Sequence, residues 1–183
     1  MNLRNILFAA ASLPLLASAQ ERYSTRNGLI SFFSETPVEN IEAHNRKVSS
    51  VIDITTGAMQ FAVVIKSFEF DKALMQEHFN ENYMESNTFP KADFKGKVTG
   101  FGAEQLASPG EYKVTVDGDL TIHGVTRQVS HPGTITVNKD GTLKAVSDFV
   151  VKPEDHGIKI PGVVRKNIAE EIAVKVRMDY TKM

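Results

Sequence analysis

Cysteine is absent from the 183-residue chain. Its absence excludes disulfide bonds, thiolate catalysis, and zinc or iron–sulfur sites built on cysteine ligands. A strong charge of either sign is also missing, because 21 lysine and arginine residues stand against 22 aspartate and glutamate residues. This near-neutral balance provides no electrostatic footprint for nucleic acid or for an anionic membrane surface, so nucleic acid is not expected as a partner.

Sequence signatures of common catalytic sites are missing as well. No serine lies in a G-x-S-x-G motif, and the chain has no glycine-rich phosphate loop. Asp117 and Asp119 share the polar face of a predicted strand, but two carboxylates on an outward face are usually solvated. We therefore predict a protein that is not an enzyme and that has no cofactor.

The first nineteen residues contain the three regions of a secretory signal peptide. Arg4 provides a positive start, an apolar run follows over residues 6–16, and residues 17–19 read ASA, which suits a signal peptidase. The apolar run is too short to cross a bilayer, which takes roughly 20 helical residues. We predict a signal peptide over residues 1–19 and a single domain over residues 20–183. The domain is expected in the periplasm or secreted, without a transmembrane segment.

Most of the remaining chain alternates between apolar and polar side chains, which is typical of strands that bury one face. The clearest runs are EYKVTVDGDLTIHG and EEIAVKVRMDY, and AMQFAVVIKSF and GTLKAVSDFVV are two further candidates. The turn signals TTG, SPG, HG and NKDG lie between such runs, and Asp-Gly is the strongest because glycine accepts positive φ. The pattern predicts an antiparallel sheet that closes into a barrel or folds into a sandwich.

One helix is predicted in the middle of the chain, within and just before LMQEHFNENYMES. Asp71 is a suitable N-cap for it. An apolar stripe at helical spacing is expected to dock this helix on the barrel. The stripe consists of Leu74, Met75, Phe79 and Tyr83.

The same segment contains residues of a type that binds metal ions. His78, Glu81 and Glu85 would lie close to one face of the helix, beside the apolar stripe. A zinc site needs three or four ligands that converge within about 2.0–2.3 Å, and Glu85 lies two turns from His78. We therefore interpret the three residues as a solvated helix surface and predict no metal site.

The apolar faces of the strands admit two interpretations. They form either a solid core, as in a structural or interaction module, or the wall of a lumen that holds an apolar ligand, since about eight strands can enclose one. The alternation is the same in both cases. Strand parity predicts that the lining of such a lumen would be Phe32, Phe61, Val63, Ile65, Val114, Val116, Leu120, Phe149, Val174, Val176 and Met178. His78 and Tyr83 are candidate polar groups at its mouth.

Two segments resemble the YceI family of exported, lipid-binding proteins. GDLTIHGVTRQV, residues 118–129, is similar to the family's G-x-L-T-x-H-G-V-T-x-x-V strand–turn–strand motif. SFEFDKALMQEHFNENYMESNTFPKADFKG, residues 67–96, is similar to its strand, short helix and following strand. The matched positions are Phe89, Pro90, Phe94, Leu120, Thr121, His123, Gly124, Val125 and Thr126. The resemblance implies that these positions mainly define the fold.

The resemblance covers about residues 22–180 and implies an antiparallel, lipocalin-like all-β barrel of about eight strands, with one short helix near its opening. Family members are associated with binding polyisoprenoid or similar long amphiphiles in the lumen, without catalysis. The chain departs from the family pattern in its first strand and at Leu74–Met75, where many members have Arg-Asp. We expect an isoprenoid-like or other amphiphilic lipid as the partner. The oligomeric state is left open, with a homodimer among the alternatives.

Overall fold

The computed structural model describes residues 21–183, so the predicted signal peptide lies outside the described residues. Most of the described chain is β-structure. Its strands are β1 Arg22–Glu35, β2 Asn40–Asp53, β3 Ala58–Val64, β4 Glu69–Phe70, β5 Lys91–Thr99, β6 Gly110–Ile122, β7 Val125–Val137, β8 Leu143–Val151 and β9 Ile172–Lys182. Its helices are α1 Ala73–His78, which continues as a π-helical turn over Phe79–Tyr83, α2 Ala103–Leu106, and the 3-10 turns Ile65–Ser67, Pro153–His156 and Gly162–Asn167.

Eight of the strands close into an antiparallel barrel. Their order is β1-β9-β8-β7-β6-β5-β3-β2, and β2 pairs back to β1. The two-residue strand β4 adds to β2, where Phe70 pairs with Ala43. Closure removes most of the free strand edges, although β7 and β8 pair only over residues 134–137 and 143–146. The predicted all-β barrel is therefore confirmed.

Strand direction places the connections of the barrel at two ends. The connections over residues 54–57, 100–109 and 138–142 lie at one end, together with residue 22 and residue 182. We call this the closed end, because buried side chains fill it. These are Ile52, Ile135, Val137, Leu143, Met178 and Tyr180. The connections over residues 36–39, 65–90, 123–124 and 152–171 lie at the opposite end, which we call the mouth end.

Two hairpin turns follow from the residues at their centres. His123 and Gly124 join β6 to β7 with φ values of 52° and 73°, as a two-residue type I′ turn requires. Between β7 and β8, Asn138 and Gly141 close the turn through the N–H of Gly141, which donates to the carbonyl of Asn138, and Gly141 has φ of 82°. Both turns are confirmed.

One local prediction, the N-cap of the helix, was wrong. Lys72 is the N-cap of α1, not Asp71, and it makes no side-chain capping bond. Gln76 Oε1 instead accepts the N–H of Phe70, so a side chain from inside the helix binds the incoming strand. Ser108–Gly110 lies at the end of the connection between the paired antiparallel strands β5 and β6, as predicted, and α2 occupies the earlier part of the same connection.

Candidate functional site

Two adjoining cavities occupy the interior of the barrel. The larger has a volume of about 330 Å³ and lies at the mouth end. The smaller, of about 110 Å³, lies deeper and reaches Met59, Val98 and Met178 near the closed end. The residues that line both cavities are Ile30, Val63, Ala92, Leu120 and Phe149. The shared residues place the two cavities next to each other, and we refer to both together as the lumen.

The structure places every residue of the predicted lining set on the wall of this lumen. Those on the smaller cavity are Phe61, Val63, Val114, Val116, Leu120, Phe149, Val176 and Met178. Those on the larger cavity are Phe32, Val63, Ile65, Leu120, Phe149 and Val174, with His78 and Tyr83 also on its wall. Their contact with a ligand stays a prediction.

Sequence reasoning missed part of the wall. Val129, His131 and Ile135 of β7 share one parity and line the smaller cavity, so alternation in this strand was a usable signal. Ile158 and Ile160 line the larger cavity from the irregular connection before β9. No periodic pattern marks these two residues, because residues 157–161 are in neither a helix nor a strand.

Residues 71–89, which we call the lid segment, cover the larger cavity. Phe79 is the centre of its contact with the barrel. The Phe79 ring stacks on Phe32 with centroids 5.5 Å apart, and it also meets Phe68 at 5.5 Å and Phe70 at 5.1 Å. Aromatic pairs at such distances contribute about 0.5–1.5 kcal/mol each beyond area burial. The cluster therefore seats the lid segment on the mouth of the lumen.

The predicted docking stripe of the helix is correct in part. Met75, Phe79 and Tyr83 line the larger cavity. Leu74 does not, and it is 61% exposed. Successive helical residues lie about 100° apart, so a residue directly before Met75 turns away from the face that Met75 shares with Phe79.

Glu85 lies beyond the helical turns and points to a different element from the one predicted. Its Oε2 atom is 2.7 Å from His123 Nε2 in the β6–β7 turn. His123 also packs on Phe89, with ring centroids 4.4 Å apart. Residues 21–183 contain no group of three or more His, Cys, Asp or Glu residues placed to hold a metal ion. His78, Glu81 and Glu85 therefore do not form a common site.

Most of the lumen wall is apolar, and the polar side chains at the mouth are tied to neighbouring elements. Glu39 Oε1 accepts from Lys72 Nζ at 3.2 Å, and Glu39 Oε2 accepts from Asn167 Nδ2 at 3.3 Å. The hydrogen bonds from Lys72 and Asn167 lower the pKa of Glu39, so the carboxylate stays ionised. Ser34 is buried, and its hydroxyl accepts the N–H of Ala169 at 2.9 Å.

Two further titratable side chains border the lumen. His131 stacks on Phe149 with ring centroids 4.2 Å apart and an interplanar angle of 13°. Burial lowers the pKa of His131, which keeps the imidazole neutral at physiological pH. Burial also raises the pKa of Tyr83 on the lid segment. The lumen wall therefore includes two uncharged polar side chains, His131 in the smaller, deeper cavity and Tyr83 in the larger cavity at the mouth end.

No helix within residues 21–183 is long and apolar enough to span a bilayer. The described helices are all short, and the longest run, α1 with its π-helical turn, ends at Tyr83.

Comparisons with known proteins give a consistent result. The structure is similar to a polyisoprenoid binding domain from Saccharophagus degradans implicated in plant cell wall breakdown, with a TM-score of 0.77 and 14% identity over 90% of this chain and 99% of that chain. It is also similar to Burkholderia cenocepacia BcnA, with a TM-score of 0.70 and 18% identity over 84% of this chain and 96% of that chain. It is similar as well to the Campylobacter jejuni YCEI protein, with a TM-score of 0.63 and 15% identity over 81% of this chain and 88% of that chain.

At these identities the structural matches show a shared fold. No curated protein sequence matches the chain significantly. The family described as YceI-like domain, however, matches residues 23–180, which is most of the chain. The match includes both segments on which the resemblance in the sequence depended. The chain therefore belongs to the YceI-like family.

Proposed function

We propose that the protein is an exported, non-catalytic binding protein that holds a polyisoprenoid-like or other long apolar ligand in its lumen. The observation that carries this proposal is the pair of adjoining cavities, of about 330 Å³ and 110 Å³, with a largely apolar wall. The similar domain from Saccharophagus degradans is named for polyisoprenoid binding, which supports the same class of ligand.

The cavities favour a lumen over a solid core. In a solid-core module, side chains from opposite walls would meet, because protein interiors are close-packed and voids cost stability. Here Leu120 and Phe149 border open space on both sides of the junction between the cavities. An apolar chain that enters this space replaces the missing contacts, and each buried CH₂ group contributes about 0.8 kcal/mol. Binding of this kind needs no reactive group.

A substitution at the junction of the cavities tests the proposal. Ala92 lines both cavities from β5, so Ala92→Phe should fill the junction and block a long chain. Lys95 is exposed on the same strand, and Lys95→Phe adds the same ring outside the barrel. Ala145→Leu, in the smaller cavity, is a milder second variant in case Ala92→Phe does not fold.

The measurements are native mass spectrometry of protein purified from its producing host, and titration with the uncharged fluorescent probe N-phenyl-1-naphthylamine. We expect a co-purifying lipid and probe binding with the wild type and Lys95→Phe. Ala92→Phe should lose the lipid, and it should bind the probe at least tenfold more weakly. A wild type that carries no lipid and binds no probe would contradict the proposal.

Export is tested separately. It rests on the three regions of residues 1–19. N-terminal sequencing of the protein recovered outside the cytoplasm should begin at Gln20. A protein that keeps Met1 and stays in the cytoplasm would contradict export and leave the binding proposal intact.

A further inference from the structure

Among residues 21–183, no lysine or arginine lines either of the two cavities. The acidic residues that border them are Glu39 at the mouth and Asp93 on β5. Asp93 lies between Ala92 and Phe94, both on the lumen side, so strand alternation directs the Asp93 side chain to the outer face of the barrel. Glu39 therefore provides the carboxylate on the route into the lumen.

Glu39 connects three elements of the mouth. It lies in the β1–β2 connection, and its two oxygens bind Lys72, which precedes α1, and Asn167, which ends the 3-10 turn Gly162–Asn167. The ammonium of Lys72 is therefore already paired with a carboxylate. In the same region, Arg165 is paired with Glu154 and Glu170.

These ion pairs bear on which ligand head groups are favoured at the mouth end. A phosphate or carboxylate head would approach Glu39, which lies on the cavity wall, whereas the Lys72 side chain that pairs with it is off this wall and 68% exposed. Like charges placed together at a partly desolvated site are unfavourable. A hydroxyl head meets no such repulsion, because it can donate a hydrogen bond to the carboxylate. A carbonyl head can accept from the amide of Asn167.

We infer that the mouth selects apolar ligands with an uncharged, hydrogen-bonding head group over ligands with an anionic head, and that Glu39 sets this selection. The inference rests on the proposed function, since it names the ligand class of the same lumen. It assigns a specificity role to a carboxylate in the β1–β2 connection, on the wall of the larger cavity.

Two ligands with the same apolar chain test the inference. Geranylgeraniol and geranylgeranyl phosphate both have twenty chain carbons and differ in the head group. Each is used, below its aggregation concentration, to displace N-phenyl-1-naphthylamine from the chain over residues 20–183. We expect the alcohol to bind about tenfold more tightly than the phosphate, which corresponds to about 1.4 kcal/mol.

Substitutions separate the role of Glu39 from general effects of charge. Glu39→Gln keeps the shape and removes the charge, so it should strengthen phosphate binding several-fold and change alcohol binding less than twofold. Lys72→Met leaves Glu39 without its cation, and it should widen the preference for the alcohol. Glu111 is exposed at the closed end, so Glu111→Gln removes the same charge far from the mouth and should leave the preference unchanged.

The outcomes distinguish the inference from the proposed function. Equal or tighter binding of the phosphate by the wild type, with the probe still bound, would overturn the head-group inference alone. The same holds if Glu39→Gln leaves the ratio of the two affinities unchanged. If neither C20 compound nor the probe binds, the proposed function fails, and the inference fails with it.

Discussion

His123 Nε2 lies 2.7 Å from Glu85 Oε2, and these two residues are the non-glycine positions with positive φ within residues 21–183. Their φ values are 52° and 42°. A residue with a Cβ atom pays roughly 1–2 kcal/mol for this conformation. The contact joins the lid segment to the β6–β7 turn, so one side-chain pair bridges two unfavourable backbone positions at the mouth end.

Two substitutions of Glu85 should separate the contact from the backbone conformation. Glu85→Ala removes the hydrogen bond and keeps a Cβ atom at positive φ. Glu85→Gly removes the same bond and adopts positive φ without steric cost. We expect Glu85→Gly to be more stable than Glu85→Ala by about 1 kcal/mol. Urea unfolding measures the difference, and equal stabilities would show that the backbone at Glu85 carries no strain.

Tyr180 and Ser50 form a buried hydroxyl pair in which the consequences of substitution are unequal. The Ser50 hydroxyl donates to the carbonyl of Gln60 at 2.9 Å, so Tyr180 donates to Ser50, at 2.6 Å. Ser50→Ala leaves the buried Tyr180 hydroxyl without an acceptor, which costs about 1–3 kcal/mol. Tyr180→Phe removes that donor and costs about 1 kcal/mol. Denaturant unfolding should therefore rank Ser50→Ala below Tyr180→Phe, and the reverse ranking would contradict this arrangement.

Tyr180 should also limit stability in alkaline solution. Burial raises the pKa of Tyr180 above its usual value of 10.0. The unfolded chain releases this proton as the pH passes 10, while the folded protein keeps it. The contribution of Tyr180 to the free energy of unfolding is therefore fully present below pH 10, and it falls above pH 10 by about 1.4 kcal/mol per pH unit. Between pH 9 and pH 11, Tyr180→Phe should lose less stability than the wild type, and parallel curves would refute the prediction.

His131 should affect stability on the acid side of neutrality. Burial lowers its pKa below the usual value of 6.5, so the unfolded chain takes up a proton before the folded protein does. The contribution of His131 is complete above pH 6.5 and is lost as the pH falls toward its lowered pKa. Ligand-free His131→Phe should lose less stability than the wild type between pH 7 and pH 5.5. An unchanged loss in the variant would mean that His131 does not titrate in this window.

Gly118 should not tolerate a methyl group. It pairs with Gly96 across β5 and β6, and a Cβ atom at Gly118 would lie 2.5 Å from Gly96 Cα and 2.8 Å from Phe94 Cζ. Gly118→Ala should reduce the free energy of unfolding by about 1–3 kcal/mol. Gly162 has open space around it, so Gly162→Ala is the matched control and should be neutral or slightly stabilising. Equal effects at both positions would contradict the close packing of the two strands.

Much of the wall could be predicted because strand parity depends on local sequence. Val114, Val116 and Leu120 share one face of β6 wherever that strand lies, since successive side chains point to opposite faces. The turn at His123–Gly124 is equally local, because its two residues must adopt positive φ. The lid segment was less predictable. The helical wheel assumed a regular α-helix that continues to Glu85. The segment instead forms a π-helical turn over Phe79–Tyr83, and Glu85 contacts the distant His123.

The all-β architecture, the position of the main hairpin turns and the inward side of the strands follow from local sequence, because they depend on neighbours along the chain. The cavities inside the barrel depend instead on how the strands pack in three dimensions, since the same alternation produces a solid core when opposite walls are closer. The tertiary structure also brought Glu39 to Lys72 and to Asn167, which are 33 and 128 residues away along the chain. Contacts over such separations arise from barrel closure, which no local pattern encodes.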